Sequence, residues 1–317
     1  MKFSFLLPAY KVSFLEQSIN SILNQKFKDF EIIISDDCSP NNIKEIVNNF
    51  HDSRITYQRN DKNIGAENMV NHWNLLLSKA NGDYIIMASD DDIYEPNFLS
   101  EINDLITKYP NVFIHRARVR NINTQNEPIW EDALYPEFQD EIDAICSYST
   151  VCIGNYVFNT SILRSIGGFF NLPYAMGSDT ATAILMAQNG MCNTPNILFN
   201  YRISNIQVSH ASRSIIIDRG KMEAALSFHT WIYDYLNNIH YKNTLLNDIK
   251  IRKFKQDRII KGLNHCAKMY YGSLSFKDFI RLYKIMNTLG CFKRLFEKII
   301  FLLDYLKLKK SYKNSRK

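Results

Sequence analysis

Between Phe3 and Ile106 the chain repeats one pattern four times, a short apolar run followed by apolar residues at helical spacing. The runs fall at residues 3–7, 30–35, 54–59 and 84–88. Ile32-Ile33-Ile34 shows their character: apolar at successive positions, it suits a strand buried on both faces, as in parallel sheets covered by helices. The segments between put Leu15, Ile19, Ile22 and Leu23 on one helical face, then Ile43, Ile46, Val47 and Phe50. Val70, Trp73, Leu76 and Leu77 mark a third helix, and Leu99, Ile102, Leu105 and Ile106 a fourth. Such alternation predicts an α/β domain with a mostly parallel sheet flanked by helices. Local signals add three boundaries. Pro8 ends the first strand, Ser13-x-x-Glu16 reads as a capping box, and Ser39-Pro40 opens the second helix.

The remainder is less regular. Residues 121–150 lose the pattern and predict a long loop or lid. A strand at 151–158, a short helix and the Gly167-Gly168 turn follow. Beyond Ser214 the chain reads as almost wholly helical, frayed from Lys310 onward. Charge divides at the same place. Residues 1–213 carry 16 Lys and Arg against 24 Asp and Glu, a net of −8, while 214–317 carry 22 against 8, a net of +14. An acidic front half argues against nucleic acid as the main ligand, and the basic remainder suits an anionic membrane surface or phosphate-bearing acceptors.

The six cysteines form no C-x-x-C pair, so neither a zinc site nor a disulfide framework is expected, and a reducing compartment is the plain reading. No signal peptide and no transmembrane run is recognisable, which predicts a cytoplasmic protein.

Three polar clusters stand at the exits of apolar strands, where ligands of parallel α/β sheets bind. They are Pro8-Ala9-Tyr10, Asp36-Asp37 and Asp90-Asp91-Asp92. Three consecutive carboxylates repel one another unless a cation or hydrogen-bond donors offset them, and hard oxygen ligands on a loop favour Mg²⁺ or Mn²⁺. The alternative is a solvated acidic turn capping the next helix. Asp36-Asp37 either cap the helix after Pro40 or offer a carboxylate to the N3–H of a uracil, with Tyr10 stacking on the base.

The strings Phe3-Ser4-Phe5-Leu6-Leu7-Pro8-Ala9-Tyr10 and Ile32-Ile33-Ile34-Ser35-Asp36-Asp37-Cys38-Ser39 resemble the opening of family 2 glycosyltransferases. Asn63-Ile64-Gly65, Ala80-Asn81-Gly82-Asp83-Tyr84, Ser89-Asp90-Asp91-Asp92, Leu163 to Phe169 and Gly177-Ser178-Asp179 continue the resemblance in order, over about residues 1–210. It implies a GT-A, Rossmann-like catalytic domain over 1–213, with nucleotide binding in 1–120 and acceptor binding in 121–213. A helical region, 214–317, would associate with membrane or dimerise. The resemblance places Pro8, Ala9, Tyr10, Asp37 and Asn63 at the nucleotide and Asp90 at its ribose. Asp91 and Asp92, with His210, would hold Mn²⁺ or Mg²⁺ on the diphosphate of a UDP-sugar. Asp179 would be the base for an acceptor hydroxyl, although it is also placed to cap the following helix, and Arg202 is a further phosphate candidate.

Lys11, Cys38 and Ser89 depart from the family pattern, which carries Asn, Gly and Asp there. No Gln-x-x-Arg-Trp string is present, which favours addition of single sugars to a bacterial glycan or glycolipid over processive synthesis. Two other classes remain open. A nucleotidyltransferase would carry a Gly-rich phosphate loop after the first strand, and a non-catalytic nucleotide-sugar binder would tolerate loss of Asp91 and Asp179. The stretch from Lys293 to Lys310, aliphatic with flanking lysines, reads either as an interfacial helix or as one packed on the domain.

Overall fold

The computed structural model describes residues 2–146, 152–204, 214–239, 244–270, 274–292 and 295–314. Its centre is a parallel pair, β1 (Phe3–Ala9) and β2 (Phe30–Asp36), in register from Phe3 opposite Phe30 to Ala9 opposite Asp36. Both are apolar over most of their length and buried at almost every position, as strands between two helical layers must be. β3 (Ile55–Arg59) adds to β2 and β4 (Tyr84–Met87) to β1, both parallel. Beyond β4 the direction mixes. β9 (Tyr156–Asn159) runs antiparallel between β4 and β6 (Ile114–Ile122), and β10 (Met191–Arg202) runs parallel to β6. The order is β3-β2-β1-β4-β9-β6-β10-β5, ending on β5 (Ile93–Tyr94), while β7 (Pro128–Glu131) joins β6 and β8 (Phe138–Gln139) joins β10. Helices α1 (Leu15–Leu23), α2 (Ile43–Asn48), α3 (Met69–Lys79) and α4 (Phe98–Lys108) fall at the four expected segments. Leu15, Ile19, Ile22, Ile43, Phe98 and Ile102 bury their side chains in the same core as Phe5, Ile32 and Ile34.

Several boundaries differ from expectation for local reasons. Pro8 does not end β1. Its missing N–H lies on the β4 side, where β4 has already stopped opposite Leu6, so no ladder bond is lost. The Ser13–Glu16 capping box does not form, because α1 starts at Leu15 without a side-chain cap. The second helix starts at Ile43 rather than Pro40, where the Asn42 side chain accepts from the Glu45 N–H at 3.3 Å. Residues 121–150 are not a bare loop, since β7, β8 and α5 (Glu141–Cys146) lie there. The whole of β6 escaped prediction: Arg116, Arg118 and Arg120 alternate with Ala117 and Val119, and charge hides an interior strand between β9 and β10.

By contacts the chain divides into two units, Met1–Asn171 with Ser178–His210, and Leu172–Gly177 with Ala211–Lys317. The second is built from α8 (Ile215–Asn238), α9 (Leu245–Phe254), α10 (Lys261–Tyr270), α11 (Phe276–Thr288) and α12 (Leu295–Asn314). Met222, Leu226, Leu263, Phe279, Leu282 and Phe301 fill its core. Helix α12 continues to Asn314, past the predicted fraying point.

Candidate active site

The exits of β1, β2 and β4 carry the polar residues singled out in the sequence, and hydrogen bonds tie them to one another. At the end of β2 the two aspartates divide their work. Asp36 is fully buried and accepts from the Ser39 N–H at 2.8 Å, the Tyr57 hydroxyl at 2.8 Å and the Arg59 guanidinium. It is an anchor, since a buried carboxylate needs such hydrogen-bond partners. Asp37 accepts at Oδ1 from the Ile64 N–H (2.8 Å) and the Asn60 amide (3.0 Å), and at Oδ2 from the Gly65 N–H (3.1 Å). Gly65 has φ of +78°, a left-handed conformation that lets consecutive N–H groups converge on one carboxylate. Asn63 donates to the Asp37 carbonyl at 2.8 Å, so the Asn63-Ile64-Gly65 motif holds Asp37 in place. Oδ2 keeps a lone pair for one more donor. The Tyr10 ring, 45% exposed, stands on the neighbouring β1 exit, whose carbonyl takes the Ser39 hydroxyl at 2.6 Å.

The triplet after β4 is buried and braced. Asp90 Oδ2 accepts from the Tyr10 and Lys11 N–H groups at 3.0 and 2.8 Å, fastening the β4 exit to the β1 exit. The Lys11 ammonium lies 2.9 Å from Asp90 and 2.5 Å from Asp91 Oδ2. Asp92 accepts from the Arg202 N–H at 2.8 Å and from the Ser89 hydroxyl. Desolvation raises the pKa of Asp90 and of Asp92, with Lys11 opposing the rise at Asp90 and the Asp91 charge adding to it at Asp92. Burial pulls the Lys11 ammonium the other way, yet Asp90 and Asp91 outweigh it and its pKa is raised. Asp91 differs from its neighbours, because among the described residues its Oδ1 takes no hydrogen bond.

Arg202 is fully buried and donates to the Asp91 carbonyl at 2.7 Å, to the Asn123 carbonyl at 3.1 Å and to Gln17 at 3.1 Å, with its guanidinium over the Phe14 ring. It holds the triplet's backbone rather than standing open to a phosphate. Asp179 lies in the first turn of α7 (Ser178–Met186), where Oδ1 accepts from the Thr180 N–H at 2.7 Å. Its other oxygen takes no hydrogen bond from another described residue, and burial pushes its pKa up to about 6. Two groups not predicted from sequence link the two acidic sites. Tyr201 and Cys152 each feel the charge of Asp92 and of Asp179, and burial raises the pKa of both. An aromatic in a strand and an isolated cysteine gave no signal of this in the sequence. His210 lies outside the described residues.

The Ala80-Asn81-Gly82 string has a structural task. Glu31 accepts from the Asn81 N–H at 2.7 Å and the Ser4 hydroxyl at 2.6 Å, and a Cβ on Gly82 would stand 2.6 Å from the Ser4 backbone nitrogen. The turn therefore locks β4 against β1 and sets the height at which the triplet emerges.

The model of the family described as Glycosyl transferase family 2 matches residues 4–167, a span holding every strand exit above. The chain belongs to glycosyl transferase family 2. An uncharacterized glycosyltransferase of Haemophilus influenzae is 23% identical to this family 2 enzyme, covering 93% of this chain and 97% of its own. The GalNAc(5)-diNAcBac-PP-undecaprenol beta-1,3-glucosyltransferase of Campylobacter jejuni is 38% identical over 94 residues, 29% of this chain and 30% of its own. A crystal structure of S. aureus TarS residues 1–349 in complex with UDP-GlcNAc matches with a TM-score of 0.66 at 15% identity, covering 99% of this chain and 92% of that one. At that identity the likeness is one of fold, and the fold is GT-A with a helical C-terminal region. Among the described residues no helix is long and apolar enough to cross a membrane.

Proposed function

We infer that this family 2 glycosyl transferase moves one sugar from a UDP-sugar to a hydroxyl of a bacterial surface glycan or glycolipid, with inversion at the anomeric carbon. The observation that carries the reading is a pair of carboxylate oxygens that take no hydrogen bond from any other described residue, Oδ1 of Asp91 and the second oxygen of Asp179, whereas both oxygens of Asp90 and of Asp92 are bonded. UDP is chosen because Asp37 retains capacity for one N–H donor beside the exposed Tyr10 ring. The TarS structure holds UDP-GlcNAc, and the Campylobacter relative is named for a polyprenol-linked glycan acceptor, which favours the same classes here.

The residues fit a divalent cation. Asp91 offers a hard oxygen donor, and the Lys11 ammonium against it shows that the place accommodates positive charge. No three His, Cys, Asp or Glu side chains among the described residues converge as a protein-only metal site, in keeping with an ion that completes its shell with water and phosphate oxygens. Asp91 would hold Mn²⁺ or Mg²⁺ there, and the ion would supply positive charge toward the diphosphate. Asp90 and Asp92 act by bracing the loop. Asp179 takes the proton of the acceptor hydroxyl as its oxygen bonds to the anomeric carbon, and the carbon–oxygen bond to the diphosphate breaks with its electron pair going to UDP.

Calorimetric titration of UDP with and without Mn²⁺, beside Asp91→Ala, tests this. Binding that requires metal and collapses in the variant is expected. Binding of GDP, CDP or dTDP in place of UDP would overturn the donor, and metal-independent UDP binding in both proteins would overturn the role of Asp91.

A further inference from the structure

The helix α12 is apolar on two faces, and the core of its own unit covers only one. Phe301 and Tyr305 are buried, with their rings stacked on Phe279 at 5.4 and 4.0 Å between centroids. On the other side Ile299, Leu302, Leu303 and Leu306 are 49%, 41%, 57% and 52% exposed. At 100° per residue these four share one face of the helix. Lys307 and Lys310 are exposed beside them. Single exposed aliphatics need no explanation, but a stripe of four along a helix does. The combination recurs on α9, where Leu245, Leu246 and Ile249 are 77%, 60% and 51% exposed and Arg252 and Lys253 are exposed nearby.

We propose that the outward face of α12 docks on an anionic lipid surface, with the aliphatic stripe entering the headgroup boundary and the flanking lysines meeting lipid phosphates. Charge selects this occupant over a second copy of the chain. Residues 214–317 carry a net of +14, so pairing two such units through this face would set like charges together, whereas an anionic bilayer complements both the stripe and its rim. An apolar face bordered by lysines lets a helix rest in an interface without spanning it, and here the opposite apolar face is taken up by the unit's own core. The inference is independent of the donor, metal and base assigned above.

The test is flotation of the full chain with phosphatidylglycerol-containing vesicles and with pure phosphatidylcholine vesicles, at low and high salt. Anionic vesicles should carry the protein and neutral ones should not, with binding falling as salt rises. Lys307→Gln with Lys310→Gln should weaken binding about 25-fold, since a lysine near an anionic surface is worth about a factor of five. Leu303→Gln with Leu306→Gln should weaken it more than about tenfold while leaving UDP binding unchanged, because both side chains point away from the core. Absence of wild-type flotation overturns the proposal. So does equal binding to neutral vesicles, or sedimentation equilibrium showing a dimer that the leucine variant dissociates.

Discussion

In the loop after β4, acidic side chains are fastened from several directions; at the start of α7, one is left almost free. Asp90 holds two N–H groups and an ammonium, and Asp92 holds the Arg202 N–H and the Ser89 hydroxyl. Asp179 receives hydrogen bonds only from Thr180 among other described residues. Desolvation raises carboxyl pKa values in both places, but the consequences differ. In the β4 loop the hydrogen bonds fix the geometry, although burial still carries the Asp92 pKa up to about 7, and among the described residues Asp91 keeps an open oxygen. Asp179, pushed up to about 6, differs from Asp92 in having an oxygen that takes no hydrogen bond from another described residue, and an accessible carboxylate with a raised pKa is what proton removal from a hydroxyl needs. Fixity suits a ligand site, and an open oxygen suits a base.

The contrast is broken most severely by Asp179→Asn. It should lower kcat by about 10²–10⁴-fold, the usual worth of a general base, while calorimetry finds UDP affinity unchanged. Loss of UDP binding in this variant would make Asp179 part of the donor site and erase the distinction. Asp92→Ala strikes the other side. The Arg202 N–H and Ser89 hydroxyl lose their buried acceptor, and urea unfolding should record a loss of about 2–4 kcal/mol. Unchanged stability would show that the loop is held without Asp92. Lys11→Met sharpens the contrast within the triplet. Its ammonium occupies the space beside Asp91, so removing it should raise the affinity of nucleotide-free protein for Mn²⁺ about tenfold, as read by electron paramagnetic resonance. Equal or weaker Mn²⁺ binding would mean that Lys11 is no competitor.

The four-fold alternation of strand and helix was legible because period and burial agree there: 30–35 has no polar residue before Ser35 except Glu31, and it forms β2. The meeting of three acidic or aromatic clusters at neighbouring strand exits was legible because each cluster follows an apolar run. Two kinds of information were not. The sequence of β6 reads as charged because Arg116 is buried by bonds to Asn193 and Gln139, residues 77 and 23 positions away, and local pattern contains no such partner. The separation of the triplet into one open carboxylate and two braces depends on Arg202, 110 positions from Asp92. Asp36 and Asp37 are likewise equal as text, and only the convergence of Tyr57 and Arg59 on one and of Ile64 and Gly65 on the other separates the closed carboxylate from the one that keeps a lone pair.

The smallest expected effect concerns stability and runs opposite to activity. The pKa of Asp179 rises from 3.8 to about 6 on folding because burial disfavours its charged form. The folded state therefore holds this proton more tightly than the unfolded state. The group adds most to stability below its unfolded pKa, and that contribution is lost as pH rises through about 6. At neutral pH the ionised Asp179 then weakens the fold by about 1–2 kcal/mol, after discounting its partial exposure. An asparagine keeps the oxygen that accepts from the Thr180 N–H and carries no charge to desolvate. Asp179→Asn should thus melt a few degrees higher than the wild type at pH 7.5, and the gain should vanish near pH 4, where the wild-type carboxyl is already protonated. The acid limb of kcat should fall with an apparent pKa near 6 in the wild type. A variant that melts lower at pH 7.5 would mean that Asp179 is a helix-capping carboxylate stabilised by its charge, and the difference between the two acidic sites would close.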